Sequence, residues 1–244
     1  MKNNKTVGNI IGILIIILTF IILSSKIEIF PSLTLIIYKI STNLVNYSVF
    51  SAIFNTLLRA FGAYIISLIL AIITANLAYK YNLFRYIISP ILSLFRSIPT
   101  ISLLLIIILL VKLELITYFI VIIISLPILH ESIYNSLKNI NPELILVNKL
   151  DNTNSFKNFI LFILPMSYSG IVNGILQTFG LSIKIQIMSE LLCGSTKIKG
   201  IGVLMNYYKS NLELDNLFAI TFIIIIIVYL IELFIKKLLK NVKY

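Results

Sequence analysis

The chain has 244 residues, 59% of them hydrophobic, with a formal net charge of +11 and a mean hydropathy of +1.04. Such a composition excludes an ordinary soluble domain. The single Cys193 rules out an intramolecular disulfide, and the lone His130 has no Cys or carboxylate partners at ligand spacing, so no metal site is expected. The cations sit at the ends of apolar runs instead of forming a basic stripe with interleaved aromatics, which argues against nucleic acid.

Six apolar runs near 18 residues or longer read as membrane spans, at about 8–24, 54–78, 86–111, 116–133, 158–181 and 216–235. Period-two alternation is nowhere sustained, so the expected class is an all-α integral membrane protein and not a barrel. The first run follows Lys2 and Lys5. Ser24-Ser25-Lys26 is a poor cleavage site, which favours an uncleaved span over a secretory signal. Residues 26–53 then form an external, partly apolar segment, read as an interfacial helix or one packed on the bundle.

The second span opens on Asn55-Thr56-Leu57-Leu58-Arg59 and ends at the anchor Tyr79-Lys80-Tyr81. An Arg at this depth must snorkel outward or pair inside the bundle. The third span contains Arg96-Ser97-Ile98-Pro99-Thr100. Pro99 removes a backbone hydrogen bond and breaks or kinks the helix, while Ser97 and Thr100 can satisfy freed carbonyls. Irregular backbone at membrane depth lines a cavity or is enclosed in protein, so Arg96, Ser97, Pro99 and Thr100 are candidates for a pathway or gate. A helix restart beside an interfacial Arg explains them equally well.

After span four comes the longest polar interruption, residues 138–158. Asn141 can cap, Pro142 suits a first helical turn, and Glu143 faces the positive end of the dipole. Leu144 and Val147 lie at helical spacing, and Asp151-Asn152 favours a reversal. Ser155 can cap the next helix. Span five carries Gly170 and Gly174, a spacing used for close helix packing. Beyond it lies Glu190, which either lines the outer mouth or pairs with Lys184 or a nearby Lys. The loops richest in Lys flank the termini and residues 138–158, which orients both termini to the cytoplasm.

Four landmarks together resemble the permease subunits of type I bacterial ABC importers, over about residues 50–238. Thr56-Leu57-Leu58-Arg59 resembles the entry to the permease core. Arg96-Ser97-Ile98-Pro99-Thr100 is similar to a stretch in permeases for nitrate, sulfonate, taurine and thiamine-precursor pyrimidines. Pro142-Glu143-Leu144 through Leu164-Pro165 resembles the ATPase-coupling loop, with Leu146-Val147-Asn148 in place of its Glu-Ala-Ala and Asn152 in place of its Gly. Ser189-Glu190-Leu191-Leu192, Gly200-Ile201-Gly202 and Leu217-Phe218-Ala219 follow in the family's order.

The resemblance implies an N-terminal span with an external segment (1–49), a permease domain (50–238) and a short cytoplasmic tail (239–244). It further implies a translocation role, no cofactor on this chain, and ATP hydrolysis on a separate subunit. That subunit would be contacted through Pro142, Glu143, Leu144, Leu146, Val147, Asn148, Asn152 and Ser155. The implied partners are a second permease copy, an extracellular or lipid-anchored substrate-binding protein and the lipid bilayer. Neither a phosphate-binding loop nor a hydrolase motif occurs. The competing reading is a membrane scaffold or a transporter not driven by ATP. Secondary transporters usually show internal repeats with paired broken helices, and here there is one broken helix and no repeat.

Overall fold

The computed structural model describes residues 8, 11–12, 15, 18–22, 24–26, 30–141, 143, 157, 159–193 and 199–241. All regular structure among them is helical. Helix α1 spans Leu33–Val45, capped by the Ser32 hydroxyl, which accepts from the Leu35 N–H. It packs mainly on the last helix, so this helix joins the bundle. Asn46 caps α2, Tyr47–Lys80. At 1.5 Å per residue this helix is about 50 Å long, well beyond the ~30 Å hydrocarbon core.

Helix α3, Asn82–Ser97, is followed by α4, Thr100–Leu110, and the two axes differ by 105°. The break falls at Ile98-Pro99, as the proline requires. The Ser97 hydroxyl donates back to the Ser93 carbonyl at 2.9 Å. Helix α5, Leu113–Lys138, runs through Pro127 without ending. A π-helical turn, Phe159–Ile163, and a single turn, Leu164–Met166, lead into α6, Tyr168–Cys193. Helix α7, Ile201–Ser210, is short, and α8, Leu214–Asn241, closes the chain.

Four of these helices (α2, α5, α6 and α8) are long and apolar enough to cross a membrane, and the bent pair α3–α4 makes a fifth candidate among the described residues. About six spans were expected. The first of them, 8–24, includes residues outside those described. Span five was expected to end near 181, yet α6 continues to Cys193. Its polar last turns stay inside the fold because Gln186 and Glu190 find partners there.

The centre is α2 packed lengthwise on α5, with α6 against both. Small residues make this possible: Ala60, Ala63, Ala71, Ala75 and Ala78 on α2 are all buried. Ala60, Ala71 and Ala75 share one apolar cluster with Leu129, Ile133 and Leu137 of α5 and Phe179 and Ile183 of α6. A second cluster seats α4 on α5 through Leu103, Leu104, Ile107, Ile116 and Ile120. A third holds α7 in place, joining Ile201 and Tyr208 to Val49, Ala52 and Ile220.

Candidate functional site

Two polar constructions interrupt the apolar bundle. One is closed: Glu190, near the end of α6, is 0% exposed. Its Oε1 accepts from Arg59 Nη2 at 2.6 Å, from Arg59 Nε at 3.3 Å and from Gln186 Nε2 at 3.0 Å. Its Oε2 accepts from the Thr56 hydroxyl at 2.7 Å and the Gly202 N–H at 3.1 Å. Thr56 Oγ in turn accepts from the Ile201 N–H at 2.8 Å, and Arg59 Nη2 also donates to the Lys199 carbonyl at 2.8 Å.

Ile201 and Gly202 are the first residues of α7, so two of that helix's free N–H groups are satisfied by side chains from α2 and α6. The carboxylate also meets the positive end of the α7 dipole. Both neighbouring glycines are there for space. Gly200 has an extended backbone that any residue adopts, but a Cβ on it would lie 2.6 Å from Arg59 Nη2. A Cβ on Gly202 would lie 2.7 Å from Glu190 Cβ.

Glu190 therefore pairs with Arg59 and, among the described residues, with neither Lys184 nor another lysine, and Arg59 pairs inside the bundle. Lys184 is exposed on α6.

The other construction is open. A cavity of about 680 Å³ lies between the end of α5 and the beginning of α6, lined by polar side chains including Glu131, Asn135, Asn139, Asn173 and Gln177. A second cavity of about 320 Å³ adjoins it, sharing Glu131 and Asn135, with Arg85, Arg96 and His130 on its far wall. Arg96, in the last turn of α3 just before the break, forms an ion pair with Glu131 of α5. His130 Nδ1 is 3.0 Å from the Thr74 hydroxyl, and the ring stacks on Tyr134, whose face also carries the Arg85 guanidinium.

Of the residues singled out in the sequence, Arg96 lines the smaller cavity beside the helix break, whereas Glu190 lines neither cavity. Ser97 closes α3, Pro99 precedes α4 and Thr100 begins it. Gly170 and Gly174 lie where α6 meets α5. A Cβ on Gly170 would come within 2.5 Å of the Ser132 carbonyl, and one on Gly174 would touch Leu129 at 3.2 Å. Of the coupling-loop residues, Glu143 is described, its N–H donating to Asn141 Oδ1 at 3.0 Å. Pro142, Leu144, Leu146, Val147, Asn148, Asn152 and Ser155 lie outside the described residues.

Glu131, Asn135, Asn139, Asn173 and Gln177 were not singled out. Their signal was the four-residue spacing of polar side chains along α5 to its C-cap Asn139 and along α6, a single stripe on each.

A bundle of long apolar helices with one broken span and polar cavities among them defines a multi-pass membrane protein. Residues 66–243 match the family described as binding-protein-dependent transport system inner membrane component, and the chain belongs to that family. No curated protein sequence matches it.

Among solved structures it is similar to a chain of the inward-facing MetNI methionine ABC transporter. In the native CY5 crystal form the TM-score is 0.66 at 19% identity, covering 79% of this chain and 95% of that one. In the selenomethionine-soaked form it is 0.69 at 19% identity, covering 81% and 97%. An amino acid ABC transporter crystallised with histidines gives 0.61 at 16% identity, covering 79% and 91%. These likenesses establish the fold: that of type I ABC importer permeases.

Proposed function

We propose that this chain is the permease subunit of an ATP-driven importer and forms the substrate path across the cytoplasmic membrane. Family membership carries the reading. It is supported by the start of the α5–α6 connection, where the Asn141 side chain accepts from the Glu143 N–H as an N-terminal cap does. The short helix expected beyond it has an apolar side, Leu144 and Val147, on the cation-rich side of the membrane, where neither lipid nor core would cover it.

Under this reading, residues 138–158 dock on a separate ATPase subunit, which performs all hydrolysis. Residues 50–238 form the permease domain, and both termini face the cytoplasm. Two copies of the chain enclose one path, since a single coupling loop engages a single ATPase. A binding protein delivers cargo from outside. The match of Arg96 to Thr100 favours the subfamily for small anions and thiamine-precursor pyrimidines.

The test is co-purification of the ATPase with the full chain and with a variant lacking residues 141–154. Retention by the full chain and loss from the deletion is expected. Equal retention refutes the docking. The detergent-corrected mass of the complex should contain two permeases, and a complex with one contradicts the pairing.

A further inference from the structure

The larger cavity has a more specific chemistry than a water-filled path needs. Asn135 in the last turn of α5 and Asn139, the residue capping its end, are four residues apart, as are Asn173 and Gln177 on α6, and all four line it. Other polar groups in the lining are engaged: Ser132 donates to the Gly170 carbonyl at 2.8 Å, Ser136 and Ser169 share a hydrogen bond at 3.0 Å, and Glu131 is paired with Arg96. The four side-chain amides are exposed and have no hydrogen-bond partner among the described residues. Each brings two donors and a two-lone-pair acceptor. Facing hydrocarbon, such groups are costly, so they face water or a polar solute.

Charge is what the lining lacks. Glu131 is its only charged side chain among the described residues, and Arg96 neutralises it. A free anion entering would surrender hydration and meet no uncompensated cation among the described residues of this lining. An uncharged molecule rich in donors and acceptors would exchange its water hydrogen bonds for those of the amides. The volume, about 680 Å³, is within the ordinary range for small-molecule sites.

We propose that the cavity between α5 and α6 is a solute site selective for uncharged, hydrogen-bonding small molecules over free anions, with Asn135, Asn139, Asn173 and Gln177 as its recognition groups. The proposal deepens the import reading and rests on it for the site's place on the path. Within the substrate range set out above, it selects the pyrimidine-like members over the anions.

The test needs neither ATP nor partners. In full-length protein carrying Cys193→Ser, a single cysteine is introduced by Asn173→Cys or Gln177→Cys, and in a control by Asn211→Cys in the exposed turn after α7. Reconstituted protein is treated with three methanethiosulfonates: neutral hydroxyethyl, anionic sulfonatoethyl and cationic trimethylammonioethyl. Rates are divided by those for a free thiol. At positions 173 and 177 the neutral reagent should exceed the anionic one by about tenfold or more, a preference absent at position 211. Adding Glu131→Gln, which leaves Arg96 uncompensated, should raise the anionic rate at position 173 by several-fold.

No labelling at either position overturns the site. Equal neutral and anionic rates there, or an anionic rate unmoved by Glu131→Gln, overturn its selectivity. The import reading fails separately, if the chain labels as expected but a complex with its ATPase moves no cargo.

Discussion

Replacing Glu190 by Ala removes the acceptor for five donors at once: Arg59 Nε and Nη2, Gln186 Nε2, the Thr56 hydroxyl and the Gly202 N–H. Among the described residues Arg59 is then left with the Lys199 carbonyl alone, and its side chain is only 17% exposed. Breaking a buried ion pair from one side costs about 3–5 kcal/mol, chiefly the penalty of the charge left behind. Glu190→Gln keeps the shape but turns one of the two acceptor oxygens into an NH₂ group, which faces either Arg59 and Gln186 or the Gly202 N–H. At least one buried donor loses its acceptor in either orientation, at about 1–3 kcal/mol each. The double variant Arg59→Met with Glu190→Met replaces both charges by apolar volume, and should recover most of what Glu190→Ala loses. Reversible unfolding in mixed micelles, followed by helical circular dichroism, measures all three. A Glu190→Ala protein within about 0.5 kcal/mol of wild type would sink the argument, since substitutions away from such networks fall in that range.

Three further expectations share that assay. Gly202→Ala should cost about 1–3 kcal/mol by overpacking, because its methyl must displace Glu190; a neutral effect would mean that α7 slides freely. Gly170→Ala should cost a similar amount and loosen α6 from α5, seen as faster proteolysis of the connection between them, because Ser132 and Ser136 leave no room for a Cβ. Leu212, exposed in the turn between α7 and α8, holds φ at 58°, so Leu212→Gly should stabilise by about 1 kcal/mol, and Leu212→Val should destabilise.

The long apolar runs were legible because hydrocarbon imposes length and composition together, and the break at Pro99 because a missing N–H has a local consequence. The end of α6 was not. Gln186, Ser189 and Glu190 read as residues beyond a span when hydropathy alone is weighed, yet all three are buried. What keeps Glu190 inside is a guanidinium 131 residues away in the chain, and no local pattern announces that partner. Arg59 carried half of the information, since an Arg at that depth had to pair or snorkel. The amide stripe was missed for the opposite reason. Asn135 with Asn139 and Asn173 with Gln177 repeat at helical spacing in plain view, but only their meeting across a cavity gives the repeat a chemical meaning.

Two of the interhelical ion pairs, Arg59–Glu190 and Arg96–Glu131, divide the bundle between a fixed part and a changeable one. Arg59–Glu190 is rich in hydrogen bonds and its carboxylate is closed to water, so separating its helices would expose several groups together, and α2, α6 and the start of α7 are held as one body. Arg96–Glu131 is 43% and 49% exposed at its two side chains. A pair that open is worth about 0–1 kcal/mol, because water accepts either partner almost as well. It ties α3, just before the 105° break, to α5 at the rim of both cavities. Rearrangement of this bundle is therefore cheapest where α3 meets α5, beside the solute site, and most expensive at the α7 anchor.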